Sequence, residues 1–224
     1  MEAARIIKKL KSLSSPKNIQ GMARFGINPQ KALGINIPVL RKMAEEIGKN
    51  HQLALELWQS DLHEVRILAS MIDEPEKVSS RQMDEWVKEF NSWDLCDQTC
   101  MNLFDKIPLA WKKAIEWTKS EEEFIRRAGF ALMSCLAWHD KGTKDKEFLK
   151  FFPLIKKYST DQRNFVRKAV NWALRQIGKR NKNLNKQAIK VAKEILKMEN
   201  KTARWIALDA IRELESSVIQ RRLV

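Results

Sequence analysis

The sequence predicts an all-α protein, organised as an α-solenoid of paired helices, and three observations support that prediction. Apolar residues recur at helical spacing along nearly the whole chain, and no segment shows sustained alternation of period two. Gly and Pro number only 7 and 6 among 224 residues, which is too few for a turn-dense β-sandwich or barrel. A short arginine-containing pattern also recurs between residues 65 and 207.

The predicted helices can be placed in order from their apolar stripes and from the breaker residues between them. The first helix is expected to end at Pro16, and the breaker-rich stretch 26–38 predicts a structured connector before a helix that starts near Pro38. Ser120 and Glu123 have the spacing of a capping box. Further helices are predicted over 51–59, 61–73, 80–90, 92–106, 108–118, 121–138, 144–158, 161–179, 183–198 and 201–216.

The recurring pattern places an arginine after a branched apolar residue or an alanine, with another alanine two or three positions later. Its arginines are Arg66, Arg126, Arg167 and Arg204. Units of about 40 residues, each a helical pair, are typical of HEAT repeats, whose second helices line a concave surface. A generic helical bundle is the alternative. We therefore expect one domain over 1–224, with N-terminal helices and a connector over 1–50 and a repeat array over 51–224.

The formal charge of +14 is concentrated in one part of the chain, because residues 141–190 contain 15 Lys and Arg against 3 acidic residues. Such an excess attracts polyanions and raises their encounter rate. A membrane surface is a poorer partner, since no strongly apolar face accompanies the charge and no window is apolar enough to span a bilayer. Nucleic acid is the expected partner, with a solvated surface as the alternative.

Cysteine and histidine usage predicts neither an exported protein nor a metal site. The chain has no signal-peptide core at its start, and its cysteines (Cys96, Cys100 and Cys135) are odd in number, so a reduced, cytoplasmic protein is expected. Three histidines are scattered, and there is no phosphate-binding loop, dinucleotide fingerprint or nucleophile elbow. No metal and no cofactor are predicted.

The basic helix predicted over 161–179 carries a tryptophan outside its apolar stripe. On a helical wheel, Trp172 falls in the sector of Lys168, Arg175 and Lys179. A tryptophan within a basic stripe is a good platform for a base or a sugar flanked by phosphate contacts. The alternative is a tryptophan that fills the groove between two repeats.

The helix predicted over 121–138 repeats this geometry one unit earlier. Arg127 lies off the apolar stripe in the register that Lys168 occupies in the next unit, so Arg127, Lys168 and Trp172 are expected to face one surface. Arg126 and Arg167 fall elsewhere on the wheel. We expect these two arginines to serve the repeat through contacts between helices.

The segment 91–97 contains two aspartates, Asp94 and Asp97, for which we expect different roles. Asp94 lies in the first turn of a helix, where a carboxylate favours the macrodipole, and needs no functional explanation. Asp97 lies past the first turn and follows Trp93 at i+4, which places an aromatic face beside a carboxylate. A buried carboxylate is costly unless it is paired or used. The alternative role is an inter-helix salt bridge to Arg66 or Arg127.

Three motifs together resemble those of the HEAT-repeat DNA alkylation-repair glycosylases, the AlkD-like family. They are Trp93-Asp94-Leu95-Cys96-Asp97, the arginine-bearing helix around 124–128 and the tryptophan-bearing helix around 165–175. The resemblance covers the chain from about residue 58 to residue 180. Phe25 departs from it, since family members often have a tyrosine there.

The resemblance implies a DNA glycosylase of base-excision repair that releases cationic N3- and N7-alkyl purines from duplex DNA. It implies catalytic roles for Asp97, Trp93 and Trp172 and a phosphate contact for Arg127, and Lys168, Arg175 and Lys179 are expected to bind DNA with it. The lesion is expected to be held without a base-sized pocket, by a monomer that needs no cofactor. A non-catalytic DNA-binding protein is the alternative, and a protein-interaction scaffold is a further one.

Overall fold

The computed structural model describes residues 2–223, and within that range the chain is helical with no β-strand. The chain divides into two compact units, one up to Pro108 and one from Leu109 onward. The prediction of an all-α protein is therefore confirmed, while the prediction of a single domain over 1–224 stays a prediction. No helix in the described range is long and apolar enough to cross a membrane.

The first unit contains seven α-helices within the described residues. They are α1 (Glu2–Ser12), α2 (Pro16–Arg24), α3 (Ile37–Ile47), α4 (His51–Trp58), α5 (His63–Ile72), α6 (Ser80–Lys88) and α7 (Trp93–Asn102), with 3₁₀ turns at Pro75–Lys77 and Phe104–Lys106. Helix α5 is the centre of this unit, because it packs against α3, α4 and α7 and is buried over most of its length. Trp58 and Trp86 stack at 3.7 Å between ring centroids in the adjoining core.

The second unit contains eight α-helices within the described residues. They are α8 (Ala110–Trp117), α9 (Glu123–His139), α10 (Asp145–Leu149), α11 (Phe152–Tyr158), α12 (Asn164–Gly178), α13 (Lys182–Leu196), α14 (Lys201–Leu214) and α15 (Ser217–Gln220). Helix α9 packs against α8 and α12, and α12, α13 and α14 pack on one another. A Cβ at Gly129 would lie 2.7 Å from the backbone nitrogen of Thr118, so the close approach of α8 and α9 requires glycine there.

Two of the repeat arginines, Arg66 in the first unit and Arg126 in the second, link consecutive helices. Arg66 donates from Nε to the carbonyl oxygen of Ser60 at 2.9 Å and forms an ion pair with Glu89. Arg126 donates in the same way to the carbonyl oxygen of Thr118 at 3.1 Å and pairs with Asp161 at 2.7 Å. Each arginine thus binds carbonyl oxygens at the end of the preceding helix and a carboxylate further along the chain. The expectation that Arg126 serves the repeat is confirmed.

Helix α2 was not predicted, because Ser15-Pro16 was interpreted only as the end of α1. The hydroxyl of Ser15 accepts a hydrogen bond from the backbone nitrogen of Asn18 at 3.4 Å, and Pro16 occupies the first helical position, where its missing N–H costs nothing. The same Ser-Pro pair therefore ends one helix and begins the next.

Two predicted helices are interrupted in the structure. The predicted helix 144–158 is wrong, because it divides into α10 and α11 between Leu149 and Phe152. Pro153 falls in the first turn of α11, whereas in the interior of a longer helix its ring would collide with the carbonyl of Leu149. The predicted helix 92–106 ends as an α-helix at Asn102 and continues as a 3₁₀ turn.

The capping box predicted at Ser120 and Glu123 is also wrong. Glu122 is the N-cap of α9 and makes no side-chain cap hydrogen bond. The Ser120 hydroxyl instead accepts from the backbone nitrogen of Glu122 at 3.1 Å. Ser120 therefore closes a local turn before the helix, since a hydroxyl readily bonds the backbone two residues on.

Candidate functional site

The tryptophan–aspartate motif begins helix α7 in the first unit. Ser92 is the N-cap, Trp93 is the first helical residue, and Asp97 follows one turn later, with both Trp93 and Asp97 half-buried. The indole nitrogen of Trp93 donates to the carbonyl oxygen of Phe25 at 2.9 Å. Trp93 is thereby held against the segment that follows α2, and its ring has a defined orientation beside Asp97.

Asp94 lies in the first turn of α7 as predicted, but the structure also gives it a partner. One of its carboxylate oxygens lies 2.8 Å from Nε2 of His63, the buried first residue of α5. The other oxygen, Oδ1, is buried and has no hydrogen-bond partner within the described residues. Asp94 therefore joins the start of α7 to the start of α5, a role that its sequence position did not reveal.

Glu64 holds the connector that precedes α3. Its buried carboxylate accepts hydrogen bonds from the backbone nitrogens of Leu33, Gly34 and Ile35 at 2.7, 2.6 and 3.2 Å. Gly34 has a φ of +73°, and a Cβ there would lie 2.5 Å from the carbonyl oxygen of Ser15, so only glycine fits. Sequence reasoning missed Glu64, because nothing in its own segment shows that a distant loop will cover it.

A cavity of about 390 Å³ lies beside this connector in the first unit. Its lining combines apolar side chains, Met22 and Phe25 among them, with the His63–Asp94 pair and Glu64. Phe25 is 73% exposed at the rim. The cavity therefore adjoins the motif that carries Trp93, through the carbonyl oxygen of Phe25.

The basic side chains predicted on helix α12 of the second unit differ in their surroundings. Lys168 is exposed and makes no ion pair with any described residue, whereas Trp172 is half-buried. Arg175 pairs with Glu213, and its Nη1 lies 3.7 Å from Asp209. Of the predicted DNA-binding groups on this helix, Lys168 is the one whose charge is uncompensated.

Lys179 shares Glu213 with Arg175. Its Nζ lies 2.9 Å from the carboxylate of Glu213. Burial disfavours the charged form of Glu213, but the hydrogen bond from Lys179 and the charge of Arg175 outweigh it and lower the pKa of Glu213 below its usual value. These three groups therefore form a charged cluster between α12 and α14.

Helices α12 and α14 are held together by side-chain pairs on successive turns. The guanidinium of Arg167 lies 5.2 Å from the ring centroid of Trp205, which confirms the expectation that Arg167 makes inter-helix contacts. One turn later, Asn171 donates to Asp209 at 2.7 Å. On the next turn, Arg175 forms an ion pair with Glu213. The predicted DNA-binding role of Arg175 therefore competes with a structural one.

Arg127 is buried, with 5% of the residue exposed. Its Nη1 donates to the carbonyl oxygen of Phe165, next to the start of α12, at 2.6 Å. The exposed Lys168 and the buried Arg127 thus differ in accessibility, although the helical wheel placed them in equivalent register. A helical wheel reports direction from the axis and does not report what the neighbouring helix covers.

Comparisons with known proteins identify the family from a sequence model and the fold from a solved structure. A family model described as DNA alkylation repair enzyme matches residues 6–214. In sequence, the chain is 25% identical to the Listeria innocua protein Lin0241 over 194 residues, which cover 85% of this chain and 84% of that protein. It is also 25% identical to the Listeria monocytogenes protein Lmo0209 over 130 residues, 56% of this chain and 58% of that one.

The fold is similar to a solved structure from a family of proteins related to the HEAT-like repeat DNA glycosylases with affinity for branched DNA structures. The TM-score is 0.76, the identity is 20%, and the match covers 95% of both chains. At this identity the likeness shows the fold alone. The predicted HEAT-like repeat fold is therefore confirmed.

Proposed function

This chain belongs to the DNA alkylation repair enzyme family, and from that premise we propose that it is a DNA glycosylase of base-excision repair. Its substrates are cationic alkylated purines, the N3- and N7-alkyl adducts, in duplex DNA. The observation that carries this proposal is the pair of Trp93 and Asp97, an oriented aromatic ring and a half-buried carboxylate on one face of α7.

The protein is proposed to assist this reaction mainly by stabilising the charge that develops. A purine alkylated at N3 or N7 is positively charged, so the bond to C1′ breaks with its electron pair passing to the base, which leaves neutral. Water then adds to C1′ and gives up a proton to Asp97 or to solvent. The carboxylate of Asp97 stabilises the positive charge that develops on the sugar and positions the water.

The remaining residues are proposed to hold the nucleic acid. Trp93 and Trp172 pack against deoxyribose, where the face of an aromatic ring attracts a developing positive charge. Lys168 contacts phosphate directly because no acidic group competes for it. Arg127 takes a phosphate through a guanidinium already oriented by the Phe165 carbonyl, while Arg175 and Lys179 bind phosphate only by releasing Glu213.

The test is single-turnover release of N7-methylguanine from a duplex that carries one such lesion, with an undamaged duplex as the control substrate. Release from the lesion duplex alone is the expected result. If purified, folded protein releases no base from this substrate or from an N3-methyladenine duplex, the glycosylase proposal is wrong.

A non-catalytic DNA-binding role is the second candidate, and one observation favours it. The structurally similar protein belongs to a group with affinity for branched DNA structures. In that case the protein binds a four-way junction more tightly than a duplex of equal length and releases no base. The two functions are separated by measuring release and junction affinity on the same preparation.

A further inference from the structure

Helix α13 carries a lysine stripe, formed by Lys182, Lys186, Lys190, Lys193 and Lys197. These positions follow one another at intervals of three or four residues, so at about 100° per residue they fall within an arc of about 80°. All five side chains are exposed. The stripe therefore forms a continuous basic edge along the whole helix.

The stripe points away from the helices that α13 packs on. The buried residues of α13, which include Leu184, Ala188, Ala192 and Ile195, lie on the opposite side of its wheel. Helix α13 packs mainly against α12 and α14 and makes smaller contacts with α10 and α11, where Glu194 binds Lys156 and Asn183 binds Asp145. The stripe is therefore a different surface from the one that Trp172 and Lys168 present on α12.

Acidic residues neutralise little of this charge. Lys193 pairs with Glu215 at 3.1 Å, but the other four lysines of the stripe form no ion pair within residues 2–223. The acidic residue on α13, Glu194, is bound to Lys156 at 2.9 Å. The Lys156 hydrogen bond, with added effects of Lys190 and Lys197, lowers the pKa of Glu194, as expected in positive surroundings.

The shape of the stripe suits a phosphodiester backbone. The fifteen residues of α13 span about 22 Å at 1.5 Å each, which matches the axial rise of roughly six base pairs of duplex DNA. An open groove of about 400 Å³ runs beside Lys186, Lys190 and Lys197. A lipid surface is a poorer fit, because α13 has no large exposed apolar side chain within the described range to insert among acyl chains.

We propose that the lysine stripe is a second, sequence-independent binding site for the backbone of duplex DNA, separate from the α12 surface. This inference rests on the proposed DNA-binding function but not on base release. One molecule then holds two duplex segments, and removal of the stripe abolishes only the second binding event.

The first experiment maps the site by lysine acetylation and mass spectrometry. Protein is acetylated with and without an undamaged duplex of about one helical turn. Duplex is expected to slow acetylation of Lys182, Lys186, Lys190 and Lys197 several-fold and to leave Lys8 and Lys42 of the first unit unchanged. Unprotected stripe lysines in protein that is saturated with duplex overturn the proposal.

The second experiment measures stoichiometry at low salt. A triple variant, Lys186→Gln/Lys190→Gln/Lys197→Gln, is compared with a control of equal charge change, Lys8→Gln/Lys11→Gln/Lys42→Gln. Wild type and the control are expected to bind two short duplexes, and the stripe variant one. In wild type and the control, the second event should have a log–log salt slope of about −0.9 for each phosphate that the stripe neutralises.

The outcomes separate the two proposals. Stripe protection without base release supports the stripe and contradicts the glycosylase, whereas base release with one bound duplex overturns the stripe alone. Binding of the stripe to phosphatidylserine vesicles, with no protection by duplex, overturns the DNA assignment in favour of a lipid surface.

Discussion

Asp97 is the residue on which the proposed chemistry depends. The change Asp97→Asn keeps the shape of the side chain and removes the charge that stabilises the developing cation, so we expect release of N7-methylguanine to fall by about 10²–10³. DNA affinity should hold or rise slightly, because a carboxylate repels the phosphate backbone in the ground state. Single-turnover release and fluorescence anisotropy measure the two quantities.

The control for Asp97→Asn must change a carboxylate that has no role in catalysis or in packing. Asp94 fails this requirement, because its contact with the buried His63 makes Asp94→Asn a change in packing as well as in charge. Asp61→Asn is the better match, since Asp61 is exposed and its pair with Lys31 is a surface one of small energetic value. An Asp97→Asn variant that excises as fast as Asp61→Asn would show that the carboxylate is structural.

At the scale of one helix, the proposed DNA contacts of α12 compete with its structural ion pairs. Lys168→Ala is expected to weaken duplex binding equally on all sequences and to flatten the log–log salt slope by about 0.9. Glu213→Gln is expected to act in the opposite direction, because it releases Arg175 and Lys179 for phosphate. Anisotropy titrations across a salt series check both variants. Weaker DNA binding by Glu213→Gln would contradict the proposal that Glu213 and phosphate compete for Arg175 and Lys179.

We expect the link between α9 and the segment before α12 to depend on pH. Burial disfavours charge on Asp161, but hydrogen bonds from Arg163 and Arg126 outweigh it and lower the pKa of Asp161 from 3.8 to about 2. Since the folded pKa lies below the unfolded one, this stabilisation is complete above the unfolded value and is lost as the pH falls from about 4 towards 2.

The expected size of that effect is about 2 kcal/mol, because one pKa unit corresponds to about 1.4 kcal/mol. Asp161→Asn should therefore lower the free energy of unfolding by about this amount near neutral pH. The difference from wild type should shrink as the pH falls below about 4. Urea unfolding followed by circular dichroism measures both free energies of unfolding. If their difference stays constant with pH, the charge of Asp161 is not what stabilises the fold.

At the scale of the whole molecule, the charge of +14 is expected to govern the proposed binding of DNA. Binding is expected to be independent of sequence and steeply salt-sensitive, with a log–log slope of about −0.9 for each phosphate neutralised. Two unrelated undamaged duplexes, titrated over a salt series, should give the same affinity and the same slope. Salt-insensitive binding, or none at low salt, would favour a protein-interaction scaffold.

The sequence by itself determined the features that are written in local spacing and in composition. Helical periodicity predicted the all-α class, and the recurring arginine pattern predicted paired helices in which residues such as Arg126 bind the preceding turn. The motif of Trp93 and Asp97 pointed to the family, and the charge pointed to a polyanion. The periodicity and each motif depend on neighbours within one or two helical turns, and the charge depends on composition alone, so all of them can be recognised without the tertiary structure.

Only the tertiary structure decided which groups meet across the chain. Glu64 binds backbone about 30 residues earlier, and Glu213 reaches Arg175 and Lys179 from 38 and 34 residues away. Arg127 is buried where its wheel position suggested a shared accessible face with Lys168. The physical reason is that periodicity sets the direction of a side chain from its own helix axis, whereas packing selects the partner that covers it.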